Sequence, residues 1–522
     1  MGATCTRCFA TNEERQPRRT SVSPSSTNKC KLDVHSNPES IRSFYQIDDH
    51  VKSLLDAIYF VNDPDQYRLR NHAGRLHCIA ESSRGWLALS TSLIETIPIS
   101  AVVGTGALSF ILEECALHTK DCVALLLNYY SIGAKPVSVL NQVPHRWRNV
   151  CVALGCLAEK LAGPKSVALL TNNVIEFLLS CLETDVCLDI VLHAIIAIEK
   201  FSKTQKNKSR FEHFSIASIL HRFSKLSKCS LGEQIVFCSN WLLDNTFVLE
   251  GRSFGYETVD ISVNNAVLNC TDVSENLKLS PDGLTARCDT NSFESVRSSV
   301  VVSSGVYYYE AFIISSGIMQ IGWATKNSDF FNFEGYGIGD DKYSMAYDGC
   351  RSVIWFDADT RLHKHPRWKY GDVIGCLIDT DSQEVVFYYN GEPLASESDL
   401  FKESKSGFYA GASLMSFEQC RFNFGATSFS YPPCDRVFQP LNAAKSIIDD
   451  SEKVILPRHI VQQKLLNEVN SLENPCIICC AQQANTTLLP CKHGGICMSC
   501  AMQLEICTIC RVQISERIES PS

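Results

Sequence analysis

The chain has 522 residues, too many for one ordinary hydrophobic core, so we expect two to four domains. Its composition, 45% hydrophobic and 20% charged, is typical of folded globular proteins and argues against a largely disordered chain. The net charge of −9 argues against a dedicated nucleic-acid-binding protein, and no apolar run approaches the roughly 18 residues that span a bilayer.

The 26 cysteines are unevenly distributed along the chain. Eight lie between Cys476 and Cys510, and the others are scattered, often inside apolar stretches such as the one around Cys151. Disulfide-rich secreted domains are shorter and more evenly rich in cysteine. The pattern, together with the lack of a visible signal peptide, predicts a reducing environment and a cytoplasmic protein.

Residues 1–44 are polar and predict a disordered tail. The first six residues fit the N-myristoylation pattern, which makes Gly2 a candidate for myristate and Cys5 a candidate for palmitate. A second signal is needed because one myristoyl chain binds membranes only marginally. There are two alternatives to lipidation. The match to the pattern is due to chance, or Cys5 and Cys8 form half of a metal-ligand site. Membrane association through an acylated N-terminus therefore stands beside the cytoplasmic prediction.

Residues 45–250 carry apolar side chains at three- and four-residue spacing, which predicts helices. The clearest segments are 49–60, 86–97, 150–161, 167–182 and 188–201. A faint similarity recurs about every 40 residues, between Ala158–Leu161, Ile198–Phe201 and the region of Trp241. That period is typical of stacked armadillo or HEAT repeats, and an irregular helical bundle is the alternative.

Residues 255–433 change to a period of two, with Gly, Asn and Asp between the runs, which predicts a β-sandwich. One run leads directly into Asn390-Gly391, a pair that accepts positive φ at both positions of a two-residue hairpin turn. Residues 434–472 then predict a linker and a short helix with an apolar stripe from Ile460 to Leu472. The stripe is the candidate surface for a homodimer.

A cluster of metal-ligand residues occupies 473–515. It contains four pairs, namely Cys476 and Cys479, Cys491 and His493, Cys497 and Cys500, and Cys507 and Cys510. One pair alone could be a redox dithiol, part of a disulfide knot or another zinc module. Eight ligands in four pairs instead predict two closed tetrahedral Zn²⁺ sites, which are structural because no ligand position is left for a reactive water.

The order of seven cysteines with histidine in fourth place resembles the RING finger, and its short spacing is similar to the C-terminal RING fingers of inhibitor-of-apoptosis proteins. The resemblance implies a cross-brace, in which the first and third pairs share one ion. One site would hold Cys476, Cys479, Cys497 and Cys500, and the other would hold Cys491, His493, Cys507 and Cys510.

RING fingers of this kind bind a ubiquitin-charged conjugating enzyme. By resemblance, Ile478, Leu504 and Ile509 would contact that enzyme, and Arg511 would be the linchpin that hydrogen-bonds both the enzyme and ubiquitin. Such catalysis acts by orientation and forms no covalent intermediate on the RING chain. One departure is Thr508, where many active RING fingers carry proline.

The block 295–425 resembles the SPRY domain, a β-sandwich that binds peptides or proteins through loops at one end. The resemblance rests on motifs that include Tyr308-Tyr309-Glu310, Ile321-Gly322-Trp323-Ala324 and Phe387-Tyr388-Tyr389-Asn390-Gly391. The order helices, SPRY, RING resembles the RING finger and SPRY domain-containing protein family.

The sequence therefore predicts a multidomain α+β protein with an all-α region, a SPRY β-sandwich and a two-zinc RING finger. Its predicted function is that of a RING-type E3 ubiquitin-protein ligase, with a conjugating enzyme, ubiquitin and a protein or peptide ligand of the SPRY domain as partners. A non-catalytic scaffold with a structural zinc module, or a membrane adaptor, is the alternative.

Overall fold

The computed structural model describes residues 38–116, 120–226, 229–329, 335–405, 407–470, 474–479 and 482–519. The chain divides into two compact units, Met1–Ile455 and Leu456–Ser522. In the first unit a helical region is followed by a β-sandwich, and the second unit contains two helices and a small sheet.

The helical region begins at Pro38. Its helices are α1 (Pro38–Phe44), α2 (Ile47–Ala57), α3 (Asp63–Ala80), α4 (Ser83–Thr96), α5 (Gly104–Glu114), α6 (Lys120–Tyr129), α7 (Val137–Gln142), α8 (Pro144–Leu161), α9 (Gly163–Leu169), α10 (Asn172–Ser180), α11 (Leu188–Ser202), α12 (Gln205–Glu212), α13 (Ile216–His221), α14 (Ser230–Asn245) and α15 (Gly255–Thr258). The predicted helix 167–182 is divided between α9 and α10, because the Thr171 side chain accepts a hydrogen bond from the backbone N–H of Val174 and so begins a new helix.

Helices about 40 residues apart stack side by side. Helix α8 packs along α11, and α11 packs along α14. Polar contacts join α8 and α9 to the helices about 40 residues later: Lys200 of α11 forms a buried ion pair with Glu159 at 2.6 Å, and Asn207 of α12 donates to Ser166 at 3.2 Å. The helices that carry the 40-residue similarity are thus packed neighbours, and their assignment to armadillo or HEAT repeats stays a prediction.

The sandwich consists of two main antiparallel sheets. Its strands are β1 (Leu268–Val273), β2 (Leu277–Leu279), β3 (Thr285–Cys288), β4 (Glu294–Ser298), β5 (Val300–Val301), β6 (Val306–Ile313), β7 (Met319–Thr325), β8 (Ser344–Asp348), β9 (Val353–Phe356), β10 (Asp359–Leu362), β11 (Val373–Asp379), β12 (Glu384–Tyr389), β13 (Glu392–Pro393), β14 (Phe408–Leu414), β15 (Gln419–Asn423), β16 (Gln439–Pro440) and β17 (Lys445–Ser446), with helix α16 (Leu400–Glu403) before β14. One sheet has the order β1-β4-β14-β7-β8-β9-β10 and the other β13-β12-β11-β6-β15-β3-β2.

Aromatic residues fill the space between the two sheets. The Tyr309 ring meets the Trp323 ring edge-on at 5.2 Å, and its hydroxyl donates to the carbonyl of Gly322. At the hairpin between β12 and β13, Asn390 and Gly391 have φ of 48° and 87°, as the two-residue turn predicted from the sequence requires.

The helical region covers one end of the sandwich, the end formed by the loops after β3, β6 and β14. Buried Lys278 bridges Glu199 of α11 and Asp289 of the loop after β3, at 2.5 and 2.7 Å. Arg287 donates to the side chain of Gln234 on α14 at 2.9 Å. Because antiparallel strands alternate direction, the loops after β7, β9 and β11 lie at the opposite end of the sandwich.

The second unit contains α17 (Arg458–Asn470), β18 (Thr486–Leu489), β19 (His493–Ile496), α18 (Met498–Ala501) and β20 (Glu516–Glu519). The strands form a sheet of order β19-β18-β20. Helix α17 coincides with the predicted short helix. Of its stripe, Ile460 is half-buried and Val461 is exposed, while Leu472 lies outside the described residues.

Three predicted boundaries differ from the structure. Residues 38–44, assigned to the tail, form α1, which has a single buried side chain, that of Ile41, and so gives a weak apolar signal. The sandwich does not end at 433, since β16 and β17 of the predicted linker pair with β6 and β5. Likewise, the small zinc-ligand unit extends past 515, because β20 pairs with β18.

No helix in the described part of the chain is both long and apolar enough to cross a membrane. The lipidation candidates Gly2 and Cys5 lie outside the described residues, so their modification stays a prediction.

Candidate metal centre and flanking surface

The eight predicted ligands surround a very small core, six of them on loops, with His493 at the start of β19 and Cys500 in α18. The buried side chains of Leu488, Ile496 and Ala501 pack against three ligand cysteines, and the partly buried Leu504 and Ile514 pack against this cluster. So few apolar side chains cannot offset the entropy of ordering the surrounding loops. The unit needs another source of stability, and its ligand groups can supply it.

The first group consists of Cys476, Cys479, Cys497 and Cys500, whose sulfur atoms all lie within 4.8 Å of one another. The Cys479 and Cys497 sulfurs are 3.7 Å apart. Four thiolates around one Zn²⁺ sit about 3.8 Å apart along the edge of a tetrahedron. The first group therefore fits a tetrahedral zinc ion.

The second group consists of Cys491, His493, Cys507 and Cys510, with ligand atoms again within 4.8 Å of one another. The Cys507 sulfur lies 3.7 Å from Nδ1 of His493, so Nδ1 is the ring nitrogen that faces the site. The first and third pairs thus share one site, and the second and fourth pairs share the other. This is the cross-brace expected from the resemblance, with two structural Zn²⁺ ions.

The electrostatics of the ligand loops also suit a cation. Burial raises the pKa of the Cys476 thiol, but the backbone N–H groups of Cys479, Cys497 and Ile478 more than offset this and lower it to about 6. Backbone N–H groups near Cys510 likewise lower the pKa of Cys507 to about 6. By contrast, burial and the three neighbouring thiols raise the pKa of Cys500 to about 12. A divalent cation would relieve that repulsion and allow all four thiolates to form.

The residues expected to contact a conjugating enzyme flank these two sites. Ile478 and Ile509 occupy the same position in their ligand loops, one residue before the second cysteine, and are 45% and 54% exposed. Leu504 is half-buried and packs against the small core. Arg511 is exposed and has φ of 58°. The structure leaves these side chains accessible, and their roles stay predictions.

One residue that supports this surface, Arg517, was not predicted from the sequence. Arg517, on β20, donates from Nε to the carbonyl of Ala501 at 2.7 Å, and its Nη2 donates to the carbonyl of Leu504. It therefore ties the segment that follows α18, including Leu504, to the sheet. The contact spans 13 to 16 residues, and no local pattern predicts it.

Two parts of the chain match known families. Residues 306–427 match the SPRY domain, and residues 472–517 match the zinc finger, C3HC4 type (RING finger). The chain carries a SPRY domain and a C-terminal RING finger. The β-sandwich is the SPRY domain, and the two ligand groups lie in the RING finger.

Similar proteins share only part of their length with this chain. The E3 ubiquitin-protein ligase RKP of Arabidopsis thaliana is 38% identical over 154 residues, 29% of this chain and 12% of that protein. The probable ATP-dependent RNA helicase ddx1 of Dictyostelium discoideum is 27% identical over 183 residues, 34% of this chain and 22% of that protein. The ATP-dependent RNA helicase Ddx1 of Drosophila melanogaster is 28% identical over 196 residues, 35% of this chain and 24% of that protein. The chain thus spans less than a quarter of each relative.

Two solved SPRY structures are similar to the sandwich. The SPRY domain of human HERC1 is 15% identical, with a TM-score of 0.26, and covers 30% of this chain and 96% of that chain. The TRIM65 PSpry domain is 14% identical, with a TM-score of 0.27, and covers 31% of this chain and 93% of that chain.

Proposed function

We propose that the protein is a RING-type E3 ubiquitin-protein ligase. The observation that carries the proposal is the arrangement of the RING finger, in which two closed four-ligand groups present Ile478 and Ile509 to solvent at equivalent positions. Closed sites hold the fold and leave the surface between them for a protein partner. Exposed apolar side chains on a rigid scaffold are suited to such binding.

In the proposed reaction the lysine amine of a substrate attacks the carbonyl carbon of the thioester that joins ubiquitin to the conjugating enzyme. An isopeptide bond forms, the C–S bond breaks, the amine loses a proton, and the cysteine of the conjugating enzyme is the leaving group. Seven RING cysteines are metal ligands, so none of those seven forms a covalent intermediate. Ile478, Leu504 and Ile509 bind the conjugating enzyme, and the Arg511 guanidinium donates hydrogen bonds to that enzyme and to ubiquitin. Holding the flexible conjugate in one orientation lowers the entropic part of the barrier.

The SPRY domain is the proposed site for a substrate or partner protein. Its end formed by the loops after β3, β6 and β14 is covered by the helical region, through contacts such as those of Lys278 and Arg287. The loops after β7, β9 and β11 are at the other end, and we assign the ligand to that end.

The test is discharge of ubiquitin from a panel of charged conjugating enzymes by the full-length protein. We expect the wild type to accelerate discharge, and Ile478→Ala and Arg511→Ala to slow it by about tenfold or more, which corresponds to about 1.4 kcal/mol in the barrier. Zinc content is measured for every variant.

The chain offers two matched controls for this experiment. Ile518→Ala removes an isoleucine that is 45% exposed, as Ile478 is. Lys492→Ala removes an exposed basic side chain with φ of 59°, close to that of Arg511. Both controls should discharge at the wild-type rate. If no enzyme in the panel responds while zinc is fully bound, the protein is a non-catalytic scaffold, the alternative that Thr508 favours.

A further inference from the structure

The helical region has a surface pocket that the proposed ligase function does not use. It lies where the end of α1 and the first turn of α2 face the middle and end of α3. Tyr45 and His50 line it from one side, and Arg70, Gly74 and Arg75 line it from α3. No aspartate or glutamate is among the residues that line it.

The positive charges in this pocket are not neutralised by neighbouring carboxylates. Among the described residues neither Arg70 nor Arg75 forms a salt bridge, whereas the nearby Arg42 and Arg68 pair with Asp48 and Asp65 at 3.0 Å. Both pocket arginines are exposed. An unpaired guanidinium is a strong donor to a carboxylate, which it binds through two parallel hydrogen bonds.

His50 of the pocket wall lies beside His72 of α3. The Nδ1 atoms of His50 and His72 are 2.9 Å apart, and one must be unprotonated to accept the hydrogen bond. Burial and the charge of Arg75 lower the pKa of His50, against a smaller opposite effect of Asp49. Burial, His50 and Arg75 lower the pKa of His72. Burial is the larger cause, and the Arg75 contribution is the part that favours an anionic group over a cation here.

Gly74 leaves the pocket wall without a side chain on α3. It lies inside α3, where glycine destabilises a helix relative to alanine. A Cβ built at Gly74 would meet no atom within 4 Å, and its φ is not positive, so neither crowding nor backbone geometry requires glycine. The missing side chain leaves the helix backbone open to close approach by a ligand.

We propose that this pocket binds an acidic segment of a partner protein. The segment lies against Gly74, with its carboxylates at Arg70 and Arg75. Phe44 and Tyr45, which are 56% and 40% exposed, contact the apolar side chains that flank the acidic ones. Residues 1–37 of this chain carry six basic and three acidic side chains, so their charge does not suit the pocket.

The test uses full-length protein and a synthetic array of dodecapeptides in which acidic and aromatic content vary independently. We expect affinity to rise with the number of acidic residues, and Arg75→Glu and Gly74→Glu each to weaken binding by about tenfold or more. Glutamate favours helices more than glycine does, so Gly74→Glu should stay folded, which circular dichroism checks. Lys52→Glu, the same charge change at an exposed position of α2 outside the pocket, should bind like wild type.

The proposal is overturned if no acidic peptide binds, or if all four proteins bind the same peptides equally. A parallel measurement uses phosphatidylcholine vesicles with 20% phosphatidylserine. If the wild type binds these vesicles through Arg75 but binds no peptide, the pocket region contacts a lipid surface instead. Ubiquitin discharge is measured on the same variants, and we expect it to be unchanged, so the two proposals can fail separately.

Discussion

One side chain at the junction between the helical region and the SPRY domain, that of Glu418, has a strongly raised pKa. Glu418 is buried there, near Ile58 and Phe110 of the helical region and Ile318 of the sandwich. One of its carboxylate oxygens accepts a hydrogen bond from the backbone N–H of Gly317 at 2.8 Å. Burial nevertheless raises the pKa of Glu418 to about 7, because the hydrogen bonds only partly replace the lost hydration.

This raised pKa predicts a pH-dependent stability. The pKa of Glu418 in the folded protein lies above its value in the unfolded chain. Its contribution to the free energy of unfolding is therefore fully present below pH 4.5 and is lost as the pH rises towards 7. Glu418 should therefore reduce the free energy of unfolding at pH 8, relative to pH 5, by up to about 3 kcal/mol. Glu418→Gln removes the titrating group. We expect the melting temperature of this variant to exceed that of the wild type by more at pH 8 than at pH 5.

Glu392→Gln is the control for that measurement, because Glu392 is exposed. It should leave the pH dependence of the wild type unchanged. Unfolding curves of Glu418→Gln that shift by the same amount at both pH values would contradict the prediction.

At the scale of elements, strand β20 extends the sheet of the RING finger and also positions a side chain that contacts the segment after α18. It places Arg517 against the carbonyls of Ala501 and Leu504, just after α18. A guanidinium suits this position because it holds two carbonyl groups at once. The strand therefore fixes the direction of Leu504 in the surface proposed to bind the conjugating enzyme.

Replacing Arg517 should weaken binding of the conjugating enzyme without changing how the bound enzyme and its ubiquitin are oriented. Arg517→Gln frees the Leu504 segment, and we expect the concentration of conjugating enzyme needed for half-maximal discharge to rise several-fold. The rate at saturating enzyme should change little, since Arg511 is intact. Glu516→Gln, an exposed position of the same strand, is the control. A loss of zinc, or a fall only in the saturating rate, would mean that Arg517 does not act in this way.

At the scale of the whole molecule, the two units are stabilised differently. The first unit has a continuous hydrophobic core that runs from Ile41 in α1 to Ala444 beside β17. The RING finger has a small cluster that includes several of its own ligand cysteines. Structural zinc typically contributes on the order of 10 kcal/mol to such a fold.

Removal of zinc should therefore unfold one unit only. With a strong zinc chelator, we expect residues 474–519 to lose protection from hydrogen exchange, while residues 38–455 keep theirs. Discharge activity should be lost at the same time, and added Zn²⁺ should restore both. Persistent protection of β18 and β19 after complete metal removal would show that the RING core folds without zinc.

Much of the metal centre could be predicted from the sequence because its information is local. The gaps within the four pairs identify the ligands, and the resemblance to RING fingers supplied their pairing, which the structure confirms. The Asn390-Gly391 turn and the helical periodicity were likewise local signals, since φ preferences and side-chain spacing act over a few residues.

The sequence by itself determined the domain types, the zinc ligands and the order of the chain. Only the tertiary structure decided that residues 439–446 return to the sandwich, that the helices cover one of its ends, and that Arg517 supports Leu504. It also brought His50 of α2 next to His72 of α3. Such contacts join residues far apart in the chain, and they depend on how whole surfaces pack, for which no single segment carries the pattern.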